Sequence, residues 1–126
     1  MKLRHLFALN IVFAVFFGGS CLFCPRWVFS LYGLASDDAA VWTARLLGGS
    51  ILGFATLMWY GQKTTSVDTR RAITVALIVQ DVIGFIGSLH FQLTSTVNTF
   101  GWLSMALYAF LAVAYAFFLF IKPENC

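Results

Sequence analysis

The chain has 126 residues, of which 60% are hydrophobic, 17% aromatic and only 10% charged. Ordinary globular domains are about 25% charged, so this sequence lacks the polar material for a water-exposed surface. The net charge is +3, but the basic residues are scattered near segment ends, which is typical of membrane topology and not of a nucleic-acid-binding patch.

Four hydrophobic segments follow one another along the chain, and each has about 20 residues, enough to cross a hydrocarbon core of roughly 30 Å. Pro25 ends the first, and residues 26–33 are predicted to form a short amphipathic piece at the interface. The very short last connection favours antiparallel neighbours. The sequence predicts one all-α domain, 1–126, an antiparallel up-down bundle of four transmembrane helices at about 5–24, 39–60, 70–93 and 99–121.

Basic residues predict the orientation of this bundle. With four spans, only Arg26 falls on one side of the membrane, and the other side carries Lys2, Arg4, Lys63, Arg70, Arg71 and Lys122. Lysine and arginine accumulate on the cytoplasmic side, so both termini are predicted to be cytoplasmic.

Two charged residues stand inside the hydrophobic segments. Arg45 lies in the second segment. In a helix, Gly48, Gly49, Leu52 and Thr56 share one face with Arg45, and this face is predicted to pack against a partner helix. Asp81, in the third segment, is about 9 Å away along the bundle axis, within reach of Arg45 directly or through Tyr108. The sequence predicts either a structural ion pair or a ligand-lining site, with Gly48, Gly49, Gly53, Gly84 and Ser88 as helix-packing residues.

Helix one carries polar and thiol groups. Asn10, Ala14, Gly18 and Cys21 share one helical face, which is predicted to point inward. The pair Cys21 and Cys24 resembles the first cysteine pair of the quinone-linked thiol oxidases of the DsbB type, which is also followed by an arginine. That family needs a second pair in a long outer loop, and the matching loop here is about five residues without cysteine. The alternative interpretation is two small membrane-helix residues.

Two further site hypotheses are weaker. His90 among aromatic residues could ligate a pigment or metal, although an interfacial hydrogen-bonding role is the commoner use of such a histidine. The small multidrug transporters have a similar length and helix count and an essential glutamate in helix one, but helix one of this chain has no acidic residue, only Asn10. No catalytic residue, cofactor or metal site is predicted.

Several stretches together resemble a bacterial family of small four-helix integral membrane proteins of unknown function. They are Lys2-Leu3-Arg4, Pro25-Arg26-Trp27, Leu31-Tyr32-Gly33, Ala44-Arg45-Leu46-Leu47-Gly48-Gly49 and Arg70-Arg71-Ala72. The resemblance implies a multi-pass protein of the bacterial inner membrane and carries no activity with it.

Three functional hypotheses remain open at this point. The first is a non-enzymatic accessory or scaffolding subunit, in contact with the lipid bilayer and with other membrane subunits or copies of itself. The second is a binding or carrier protein for a small hydrophobic or anionic ligand, held by Arg45 and Asp81. The third is a thiol–quinone oxidoreductase that uses Cys21 and Cys24.

Overall fold

A computed structural model describes residues 2–95 and 97–121. These residues form an all-helical protein with five helices, and four of them are long and apolar enough to span a membrane, namely α1, α3, α4 and α5. Their ends differ from the predicted spans by at most three residues, which confirms the four candidate spans. The helices are α1 Leu3–Phe23, α2 Pro25–Leu31, α3 Asp38–Lys63, α4 Val67–Thr94 and α5 Phe100–Phe120.

The short helix α2 follows directly from the position of Pro25. Proline has no backbone N–H and a fixed φ, so it ends α1 and suits the first turn of a new helix. The chain leaves α2 through Gly33, whose φ of 69° is favourable only for glycine. This confirms a short element after the first span.

Side-chain caps define where α3 and α4 begin. The Asp37 carboxylate accepts a hydrogen bond of 2.8 Å from the Ala40 backbone N–H, and Asp38 adds negative charge to the first turn of α3. The Ser66 hydroxyl accepts one of 3.2 Å from the Thr69 N–H at the start of α4. These side chains satisfy backbone donors that have no partner inside the helix.

The long helices pack mainly in two pairs, α1 with α3 and α4 with α5. The backbones of α1 and α3 come closest where Gly18 faces Gly48. At the other end of the same pair, Gln62 donates a 3.0 Å hydrogen bond to the Arg4 carbonyl oxygen. In the second pair, Gly84 of α4 leaves room for the ring of Tyr108 on α5. Small residues thus allow close approach in both pairs.

The two pairs meet in a buried core near the start of α1 and the end of α5, which we call the Tyr115 end. Its fully buried members include Leu3, Phe7, Met58, Leu77 and Tyr115.

The opposite end of the bundle carries α2 and the α4–α5 connection, and we call it the Tyr32 end. The Asn98 side-chain amide donates a 2.9 Å hydrogen bond to the Leu31 carbonyl oxygen. The Asn98 backbone N–H donates one of 3.1 Å to the Tyr32 carbonyl oxygen. These bonds fasten the α4–α5 connection to α2.

Candidate functional site

A cavity of about 590 Å³ lies between the two helix pairs. It extends from Met58 and Leu111, beside the core of the Tyr115 end, to Tyr32 and Val97 at the opposite end. Aromatic and aliphatic side chains form most of its wall, including Phe13, Phe17, Phe29, Phe54, Phe91, Leu77 and Leu107. Cavities of this size and composition are typical of small-molecule sites.

Most polar side chains on the α1 side and at the two ends of the cavity already form hydrogen bonds within the protein. Asn10 Nδ2 donates a 2.9 Å hydrogen bond to the Tyr115 hydroxyl, which in turn donates to Met58 Sδ at 3.7 Å. The hydroxyls of Tyr32 and Ser104 are hydrogen-bonded to each other. These groups connect different helices, and they have few free hydrogen-bonding positions left for a ligand.

Four other lining side chains that carry oxygen or nitrogen have no hydrogen-bond partner among the described residues, and all belong to the α4/α5 pair. They are Gln80, Asp81, Ser88 and Tyr108. Asp81, Gly84 and Ser88 follow one another on one face of α4, and the Tyr108 ring lies against Gly84. One wall of the cavity therefore presents polar groups that are available to a bound molecule.

Asp81 is the most unusual of these groups. Its residue is only 4% exposed, and its Oδ2 is buried without a hydrogen-bond partner within residues 2–95 and 97–121. A buried carboxyl group without a partner is costly, and more so inside a membrane. Its position in the cavity wall makes it the strongest candidate there for a ligand-binding group.

The predicted ion pair between Arg45 and Asp81 is not formed. Arg45 lies on the exposed side of α3 and does not line the cavity. In the part of the chain that the structure describes, the one ion pair joins Arg26 to Asp38 at 3.2 Å, and no hydrogen bond joins Tyr108 to Asp81. The reason is the rotation of α3: Ala44 and Gly48 face inward, and Arg45 is turned about 100° away from Ala44.

The predicted helix-packing residues also fall into inward-facing and outward-facing groups. Gly48 and Gly84 lie in close interhelical contacts, and Ser88 lines the cavity. A Cβ added to Gly49 or Gly53 would meet nothing within 4 Å, so these two glycines face outward. Gly48 therefore packs against another helix of this chain, whereas Gly49 and Gly53 do not.

The two cysteines occupy different surroundings. Both thiols are free, Cys21 is buried in the cavity wall, and Cys24 is exposed. The Arg26 guanidinium is bound to the Ser36 carbonyl oxygen at 2.8 Å and to Asp38. The arginine that the thiol-oxidase resemblance places beside the thiols thus bonds instead to the start of α3.

His90 lies at the exposed surface of α4, outside the cavity wall. Among the described residues, no group of three or more His, Cys, Asp or Glu side chains could hold a metal ion. Its role as a pigment ligand is untested.

Sequence reasoning named residues on both walls of the cavity, since Asn10 and Cys21 of α1 line it, as do Asp81 and Tyr108. The inward face of α1 is confirmed, because Asn10, Ala14, Gly18 and Cys21 are all buried. The partner of Asn10, Tyr115, was not predicted, and the polar Asn10 in an apolar helix was the only signal that such a partner exists.

Comparison of the chain with protein-family models, curated proteins and solved structures found no match. The cavity and its polar wall therefore carry the functional argument.

Proposed function

We propose that this chain is an integral membrane protein that binds a lipophilic small molecule in the cavity between its two helix pairs. The observation that carries the proposal is the buried, unpartnered Asp81 carboxyl group in an otherwise mainly apolar cavity of about 590 Å³. Apolar walls supply affinity, and a few polar groups fix the orientation of the ligand. The anionic ligand considered from the sequence is not favoured, because Arg45 lies outside the cavity.

Occupancy of the cavity can be tested by filling it. We expect Ser88→Phe to abolish the binding of a co-purifying small molecule, since a phenyl ring at this position would take up part of the cavity. Gly87→Phe is the matched control, because a Cβ atom added there meets nothing within 4 Å. Native mass spectrometry after gentle detergent extraction measures the bound molecule, and equal occupancy in both variants would contradict the proposal.

The accessory-subunit hypothesis is supported by a different surface. Gly49, Ser50 and Gly53 lie exposed on α3 near Arg45, and small residues permit close packing of a further membrane helix. The same extraction distinguishes the two functions. Partner subunits that co-purify without any small molecule would favour the accessory hypothesis.

We also propose an antiparallel up-down bundle in a bacterial inner membrane, with the Tyr115 end in the cytoplasm. The contact of Arg4 with Gln62 supports this arrangement, as do Lys63, Arg70 and Arg71 at the α3–α4 connection.

Labelling with a membrane-impermeant maleimide checks this topology. In a background without native cysteines, we expect Ala35→Cys to react in intact cells and Thr65→Cys to react only after permeabilisation. Both positions are exposed on the protein surface, so access depends on the side of the membrane. Reaction of both positions in intact cells would overturn the proposed topology.

A further inference from the structure

The positive charges of the described residues all lie away from Asp81. No lysine, arginine or histidine lines the cavity. Arg26 is bound to Asp38, and Lys63 lies over the ring of Trp59 with its Nζ 3.7 Å from the ring centroid. Arg70, which is on the same helix as Asp81, is about 16 Å away along the axis at 1.5 Å per residue. Residues 2–95 and 97–121 therefore supply no counter-charge for this carboxyl group.

The groups around Asp81 suit a cation with an apolar body. The Tyr108 ring packs against Gly84, one helical turn from Asp81, and aromatic faces attract cations. Phe54 and Phe91 line the cavity as well. Ser88 is about 10 Å from Asp81 along α4, so the cavity has room for an extended apolar portion beyond the charged group.

We infer that the ligand of this cavity is a lipophilic amine, bound as an ammonium ion whose N–H groups donate to the Asp81 carboxylate. This inference depends on the proposed function, because it names the class of molecule that occupies the same cavity. An ammonium group supplies both the missing hydrogen-bond donors and the missing charge, whereas an alcohol or amide supplies only donors.

An ammonium group on an apolar body has two sources, a free lipophilic amine or the headgroup of phosphatidylethanolamine. The lipid carries a phosphate beside its ammonium, and among the described residues no basic side chain lines the cavity to bind that phosphate. A free amine is the better match.

The test uses the full chain in phosphatidylcholine nanodiscs and two fluorescent probes. One is monodansylcadaverine, which carries a primary amine, and the other is its neutral N-acetyl derivative. We expect the wild type to bind the amine at least about tenfold more tightly than the acetylated probe, because only the amine forms an ion pair with Asp81. Asp81→Asn should remove this preference and leave the affinity for the acetylated probe unchanged.

The proposed binding function and the amine inference can fail separately. Ser88→Phe should lose both probes, and Gly87→Phe should retain both. Equal binding of the two probes by the wild type, or an unchanged preference in Asp81→Asn, overturns the amine inference and leaves cavity binding intact. Failure of the wild type to bind either probe overturns both. The comparison of the two probes on the wild type does not depend on the folding of any variant.

A second set of nanodiscs identifies the source of the amine. If added phosphatidylethanolamine competes with monodansylcadaverine for binding, the amine inference is supported and the lipid is the ligand. Undiminished probe binding supports it with a free amine as ligand.

Discussion

Gly48→Leu is expected to separate α1 from α3 and to destabilise the protein by about 1–3 kcal/mol. A Cβ atom at this position would lie 2.6 Å from the Gly18 carbonyl oxygen and 2.9 Å from the Leu22 backbone nitrogen. Both are backbone atoms, so no change of rotamer can relieve the clash, and one helix must move. Reversible unfolding in detergent measures the effect.

Gly49→Leu is the matched control for this prediction. It makes the same chemical change one residue further along α3, where an added Cβ meets nothing within 4 Å. Leucine has a better helix propensity than glycine by almost 1 kcal/mol, so the control should be neutral or slightly stabilising. Equal destabilisation by the two substitutions would show that α3 is rotated differently from the structure described above.

The opposite expectations for Gly48 and Gly49 show why sequence predicted the spans but not their rotation. In a soluble helix the outward face is polar, and hydrophobic periodicity therefore identifies the buried side. In a membrane helix both the lipid-facing and the buried sides are apolar, so this contrast is largely lost. Arg45 predicted the inward side of α3, and the structure places this side chain on the exposed side of that helix.

Polar residues were better guides where their hydrogen-bonding groups needed a buried environment. Asn10 and Asp81 were predicted to face inward and are both buried. The helix pairing was harder to predict, because it depends on contacts between distant segments. Arg45 of α3 was predicted to face α4, but the approach of Gly18 to Gly48 pairs α3 mainly with α1. That separation of the two pairs leaves the cavity between them.

Tyr115 connects the two helix pairs at the Tyr115 end of this cavity. Its substitution should have the second large effect on stability. Its side chain is fully buried, packs against Phe7 and accepts the hydrogen bond from Asn10. Tyr115→Ala would leave a void that the surrounding helices cannot fill, and we expect it to lower the unfolding free energy by about 3–5 kcal/mol. Phe110→Ala is the control, because this aromatic residue of the same helix is half-exposed and should change stability by less than about 0.5 kcal/mol.

The hydrogen-bond part of this effect can be separated from the packing part. Tyr115→Phe keeps the ring and removes the hydroxyl, so it leaves the Asn10 amide without its partner. Interhelical hydrogen bonds in membrane proteins contribute about 0.6 kcal/mol on average and at most about 1.7, so the loss should fall in this range. The double variant Asn10→Leu with Tyr115→Phe replaces both partners by apolar groups and should recover much of the stability. A double variant whose losses simply add would mean that Asn10 and Tyr115 do not meet, and the two helix pairs would then have to be joined by other contacts.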